Sequence, residues 1–162
     1  MNYIEVLNRD NFPIVKRKTY TVEGKEKDDF AYRTVVTIKS PEGIKCTGIA
    51  EISKEDAKYY SKIAGFKIAE RRAYIGYLKH RIQSMKFTQM MLRRFLKWDV
   101  LGDNISNKEK RRYRFKISEL SKAIKQARKS LTANYKKVDS IIADVWEVKE
   151  KINKKLGQNT EN

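Results

Sequence analysis

The sequence predicts an α+β protein: a three-stranded antiparallel β-meander packed by basic helices, followed by a long C-terminal helix with a heptad pattern. Three observations indicate this class. β-branched stretches joined by short turns precede residue 53, amphipathic helical patterns follow to residue 98, and an apolar repeat of three then four residues runs from 117 to 155. With 162 residues, the chain can bury one ordinary core and still carry an extended helix.

Three strands are predicted in the first third of the chain, over residues 14–22, 30–39 and 44–52. The charged segment EGKEKDD separates the first two, and Ser-Pro-Glu-Gly at 40–43 supplies turn residues between the second and third. Connections as short as these are typical of hairpins, so neighbouring strands should be antiparallel.

Two helices are predicted next. Ser53 and Asp56 have the spacing of a capping box, which predicts a helix from there to about residue 84. A second amphipathic helix is predicted over 87–98. Turn-forming residues then mark 99–107 as a linker, in which Ser106 or Asn107 could cap the final helix.

Residues 108–156 begin with the basic run KEKRRYRFK and continue as a helix with a narrow apolar seam. The seam consists mainly of Ile117, Leu120, Ile124, Leu131, Val138, Ile141, Val145, Val148 and Ile152. Asn134 occupies one seam position as a polar layer. The helix could pack on its own domain or pair with a second copy as a homodimer. The predicted organisation is an α+β domain at 1–98, a linker at 99–107, the basic run and long helix at 108–156, and a disordered tail at 157–162.

The charge is strongly positive and unevenly placed. The chain has 37 Lys and Arg against 20 Asp and Glu, a formal charge of +17, and residues 53–115 hold 17 basic and six acidic side chains. Ten of the 17 aromatic residues lie in the same stretch, so basic and flat side chains are interleaved there. The candidate nucleic-acid or polyanion contacts are Lys54, Lys58, Arg71, Arg72, Lys79, Arg81, Arg93, Arg94, Lys97, Lys108, Lys110, Arg111, Arg112, Tyr113 and Arg114. Tyr113 or Trp98 is a candidate to stack on bases.

The sequence has few of the residue types that form catalytic or metal-binding sites. Cys46 is the one cysteine and His80 the one histidine, and the seven glycines form no phosphate-binding loop. We therefore predict no catalytic residues, no metal site, no cofactor and no enzymatic activity. No signal peptide or membrane-spanning run is visible, which predicts a cytoplasmic protein without a membrane partner.

Two resemblances add to this interpretation. Three strands followed by a helix that starts with Lys54, Ala57 and Lys58 resemble the second half of a double-stranded-RNA-binding domain. Residues 43–82 are similar to small accessory proteins of Gram-positive bacteriophages. The similarity lies in the segment GIKCTGIAE, an acidic residue after it, and the later segment GFKIAERRAYIGYLK. That resemblance implies a phage origin and the host cytoplasm, and it adds inhibition of a host defence to the functions to be considered.

The leading hypothesis is a non-enzymatic, phage-encoded protein that binds nucleic acid. An alternative is an anti-CRISPR-like inhibitor that binds a host nucleic-acid-guided effector, a ribonucleoprotein, or its nucleic acid. A third is an oligomerisation rod whose charges serve solubility. The residues leave open whether the nucleic acid is DNA or RNA, and whether it is single- or double-stranded.

Overall fold

The structure, a computed structural model, describes residues 16–98 and 105–158 and has the predicted α+β class. Its elements are β1 (Lys16–Glu23), β2 (Phe30–Lys39), β3 (Lys45–Ser53), a short 3-10 helix (Ala57–Tyr59), α1 (Lys62–Trp98) and α2 (Asn107–Gln158). Residues 1–15, 99–104 and 159–162 lie outside the described part, so most of the predicted linker and of the predicted tail does too.

The described residues divide into two compact units. We call residues 16–77 and 133–158 the sheet unit, and residues 78–98 and 105–132 the hairpin unit. Each of the two long helices contributes one part to each unit, because α1 crosses residue 78 and α2 crosses residue 133.

The sheet unit contains one antiparallel sheet of order β1-β2-β3, which confirms the predicted meander. Val36 of β2 pairs with Gly48 of β3 and is fully buried. The turn between these strands is closed by hydrogen bonds at Ser40, whose N–H donates to the Ile44 carbonyl at 2.9 Å. Gly43 in this turn has φ of 83°, a left-handed conformation that favours glycine.

A close crossing joins β3 to α1. A Cβ placed on Gly48 would lie 2.0 Å from the Ala69 carbonyl oxygen and 2.3 Å from the Ala73 amide nitrogen. Ala69 and Ala73 are both fully buried. The glycine and the two alanines therefore let the helix lie directly on the strand.

The hairpin unit is formed by antiparallel parts of α1 and α2 around a small apolar core. Gln89 Nε2 donates to Ser121 Oγ at 2.6 Å, and the rings of Phe95 and Tyr113 are 6.5 Å apart. The buried residues of this core are Ile82, Met85, Leu120, Ala123, Ile124 and Ala127, with Leu92 and Leu131 packed against them.

Two predictions about the helices before residue 98 are wrong. The Ser53 and Asp56 pair does form, with the Asp56 N–H donating to Ser53 Oγ at 3.3 Å, but it caps the turn before the 3-10 helix. The long helix begins at Lys62, where Ser61 Oγ accepts from the Ala64 N–H at 3.2 Å. The predicted break between residues 84 and 87 is also absent from α1, because Met85 packs into the hairpin core and nothing there interrupts the helix.

The seam of α2 packs within each unit over most of its length. Leu120 and Ile124 lie in the hairpin core, and Val138 is buried in the sheet unit. Ile117, Leu131, Ile141 and Val145 are half-buried, whereas Val148 and Ile152 are 54% and 37% exposed. Asn134 is buried and accepts a hydrogen bond from Arg71 at 3.1 Å, so α1 satisfies the polar layer of the seam.

Candidate nucleic-acid interface

The hairpin unit holds most of the positive charge of the chain. Its described residues include 16 Lys and Arg but two acidic residues, Glu109 and Glu119, a balance of +14 within a chain of +17. The described sheet unit is much closer to neutral for its size, with 20 basic and 13 acidic side chains. The charge is thus more concentrated than in residues 53–115 of the sequence, because the hairpin unit adds the basic residues of 116–132 and leaves out residues 53–77.

One face of α2 carries a regular row of these charges. We define the basic stripe as Lys108, Arg111, Phe115, Ser118, Lys122, Lys125 and Lys129, which follow one another at alternating spacings of three and four and are all exposed. At 1.5 Å per residue the basic stripe is about 32 Å long. It lies opposite the apolar seam because its positions precede those of the seam by two residues, which is about 200° around an α-helix of 3.6 residues per turn.

Large exposed aromatic rings accompany the charges in the hairpin unit. Phe115 lies within the basic stripe and is 67% exposed, and Phe87 on α1 is 60% exposed. Tyr113, a predicted stacking residue, is half-buried beside Phe95 instead. The side chain of Trp98, the other predicted stacking residue, lies outside the described part of the structure. Among the described side chains of the hairpin unit, the most exposed rings are Phe115 and Phe87, which sequence reasoning did not select.

Four predicted contact residues belong to the sheet unit, where the fold engages them. Lys54 Nζ donates to the Glu26 carbonyl at 2.5 Å, and Lys58 Nζ lies 5.0 Å from the centre of the Tyr59 ring. Arg71 donates to Asn134, and Arg72 Nη1 donates to the Ile49 carbonyl at 2.7 Å. Lys54, Arg71 and Arg72 therefore support the fold of their own unit, the two arginines by bracing α1, whereas Lys58 stays exposed beside its sequence neighbour.

The other predicted contact residues belong to the hairpin unit. Arg81, Lys110 and Tyr113 are half-buried. The exposed members are Lys79, Arg93, Arg94, Lys97, Lys108, Arg111, Arg112 and Arg114. Lys122, Lys125 and Lys129 were not predicted as contacts, since they lie beyond the dense basic run at 108–114. Their spacing of three and four, which continues from Lys108 and Arg111, is the sequence signal that marks them. Lys122 forms an ion pair with Glu119 at 3.1 Å.

A pocket of about 330 Å³ lies in the sheet unit. Aromatic rings surround it: Tyr32 and Tyr60 stack with their centres 4.3 Å apart, and Lys149 Nζ lies 4.2 Å from the centre of the Trp146 ring. Lys149 also forms an ion pair with Asp56 at 2.6 Å, and its hydrogen bond is the main reason that the pKa of the Asp56 carboxyl lies below its ordinary value. The cation most suited to a ligand is thus already engaged by an acid and a ring.

Residues 16–98 and 105–158 contain neither a metal-binding cluster nor a membrane-spanning helix. In that part of the chain no three His, Cys, Asp or Glu side chains lie close enough together to hold a metal ion. The helices described there also lack a segment that is both long and apolar enough to span a membrane.

No protein-family model, curated protein or solved structure matches the chain.

Proposed function

We propose that the chain is a non-enzymatic protein that binds nucleic acid through the hairpin unit. The observation that carries this proposal is the balance of 16 basic and two acidic side chains in one small unit. Like charges held this close repel one another, and phosphates relieve the repulsion while releasing condensed counterions.

The exposed rings favour nucleic acid over other polyanions. A purely electrostatic partner would match the charges of the hairpin unit but would make no use of its exposed phenyl rings. Bases offer flat faces for stacking next to phosphates, so a surface that mixes cations with Phe87 and Phe115 suits a nucleic acid on both counts.

The test is a fluorescence-anisotropy titration against labelled 20-nucleotide DNA and RNA, single-stranded and duplex, at several salt concentrations. Each phosphate neutralised contributes about −0.7 (single strand) to −0.9 (duplex) to the slope of log affinity against log salt. The variant with Arg111, Lys125 and Lys129 changed to Ala should bind more weakly, and its slope should be shallower by about 2 to 3.

A control variant removes the same charge from the sheet unit. Lys18, Lys27 and Lys45 are exposed, and changing these three to Ala lowers the net charge by the same amount. The proposal expects near wild-type binding from this control. Equal losses in both variants would mean that only net charge matters and would overturn the assignment to the hairpin unit.

The inhibitor hypothesis is an outcome of the same titration. If wild-type protein binds none of the four nucleic acids at physiological salt, direct binding is excluded and the charged surface is left for a protein or ribonucleoprotein. Saturable binding to a nucleic-acid-guided effector, lost in the Arg111, Lys125 and Lys129 variant, would then support an anti-CRISPR-like role. The phage origin remains a prediction from the resemblance of residues 43–82.

A further inference from the structure

Phe115 lies on the polar face of α2, where an apolar ring does not contribute to the folded core. Its side chain is 67% exposed, and it lies on the basic stripe between Arg111, one turn before it, and Lys122, two turns after it. The apolar seam on the opposite face already provides the residues that pack α2, including Leu120 and Ile124. The ring therefore contributes little to the core of the hairpin unit.

Two other partners for this ring are disfavoured by its neighbours. A second copy of the chain, docked face to face, would bring two basic stripes together and repel. A membrane surface would need several apolar side chains on the same face, but the stripe positions next to Phe115 are Arg111 and Ser118. What suits an isolated ring among cations is a ligand with both a flat face and negative charge.

The ring also discriminates between forms of nucleic acid. In a duplex the base faces are covered by stacking, and a phenyl ring reaches them only if the stack is opened, which costs a few kcal/mol per step. In a single strand the base faces are accessible, and each base stacked on an aromatic side chain contributes about 1–3 kcal/mol.

We infer, on the basis of the proposed function, that the ligand is single-stranded nucleic acid, with one base stacked on Phe115 and neighbouring phosphates held by Lys108 and Arg111, two exposed cations of the basic stripe. Base identity is not read by this arrangement, because every base has a π-face. The hairpin unit should accordingly prefer single strands over duplexes of the same length and tolerate many sequences.

The experiment compares wild-type protein with Phe115→Ala, Phe115→Leu and Phe115→Tyr, against a labelled 20-nucleotide oligo-dT strand and a 20-base-pair duplex. Wild type should bind the strand more tightly than the duplex. Phe115→Ala should weaken binding to the strand by roughly 5- to 150-fold, with little change for the duplex. Tyr should restore binding, and Leu, which is apolar without a π-system, should not.

Two controls separate stacking from charge and from folding. An abasic strand keeps the phosphates without the bases, so Phe115→Ala should bind it as wild type does. Tyr20→Ala removes an aromatic side chain, 55% exposed, from the sheet unit and should bind the oligo-dT strand normally. Equal urea midpoints for the Phe115 variants would show that the fold is intact.

The possible failures are distinguishable. If wild type binds the duplex as tightly as the strand, or if Phe115→Ala binds oligo-dT normally, the inference is overturned while the proposed function stands. If wild type binds neither nucleic acid, both fall.

Discussion

Gly48 and Ala69 meet backbone to backbone, with room for a hydrogen atom at Gly48 and nothing larger. A Cβ at position 48 would lie 2.0 Å from the Ala69 carbonyl oxygen, a distance at which one of the two backbones must move. Since Gly48 is on β3 and Ala69 on α1, this contact sets how closely the helix lies on the sheet.

The first prediction follows from that contact. Gly48→Ala should lower the free energy of unfolding by about 3 kcal/mol or more, because the clash is with backbone atoms that cannot change rotamer. Gly76→Ala is the matched control: its Cβ would lie 3.7 Å from Cys46 Cβ, an ordinary contact, and should stabilise α1 by up to about 1 kcal/mol. Urea unfolding of both variants provides the measurement, and similar midpoints for the two would contradict the close crossing.

The second prediction concerns the start of α2. Ser106 Oγ accepts from the Glu109 N–H at 3.3 Å, while the Ser106 N–H donates to Glu109 Oε2 at 3.1 Å. Ser106→Ala should therefore cost about 1 kcal/mol of stability. Ser118→Ala, at an exposed position inside the helix, should be neutral or slightly stabilising. Thermal unfolding should show this difference, and equal effects would exclude a capping role for Ser106.

The third prediction concerns acid stability. The hydrogen bond from Lys149 holds the pKa of the Asp56 carboxyl below its unfolded value, which is about 4. Because the folded pKa is the lower one, the stabilisation is present above about pH 4 and is lost as the pH falls through the folded pKa. Lys149→Met should therefore be less stable than wild type at pH 7, and the difference should shrink toward pH 2.

Urea titrations at several pH values would measure that difference. Lys154→Met removes an exposed charge from the same helix and serves as the control, for which we expect no comparable change between pH 7 and pH 2. A Lys149→Met deficit that stays constant down to pH 2 would argue against the ion pair and for the loss of contacts with the Trp146 ring.

The fourth prediction concerns Cys46. Burial raises the pKa of its thiol, so the reactive thiolate should be scarce at pH 8 in the folded protein. A disulfide reagent should react more slowly with folded than with urea-unfolded protein. Gly48→Ala, if it loosens the crossing of α1 on β3 as expected, should accelerate the reaction under native conditions, whereas equal folded and unfolded rates would mean that the thiol is accessible.

The sheet was the part most accessible to sequence reasoning. Its predicted and observed strands differ by at most two residues at either end, because charged and proline-glycine turns separate β-branched stretches. The start of α1 was mistaken because the spacing of Ser53 and Asp56 suits any first turn, and only tertiary structure shows that Ser61 caps the long helix.

The candidate interface remains a prediction, and the structure changes which basic residues belong to it. Local sequence marked the run at 108–114, yet it could not show that Arg71 and Arg72 would bond to Asn134 and to the Ile49 carbonyl. Those partners lie far away in sequence. A sequence alone does not distinguish a basic side chain that braces a helix from one that faces solvent. The exposure of Phe115 likewise depends on which face of α2 the core occupies.

The division of the chain into units has a consequence for its synthesis. The sheet unit is built from two separated stretches, residues 16–77 and 133–158, with the hairpin unit between them in sequence. The three strands leave the ribosome early. Residues 133–158 of α2, which include the buried Val138, leave it after both helical parts of the hairpin unit. The nascent strands and the first turns of α1 must therefore wait for residues 133–158, which supply Asn134 to Arg71 and Lys149 to Asp56, so completion of the sheet unit is tied to the last stretch of α2 to be made.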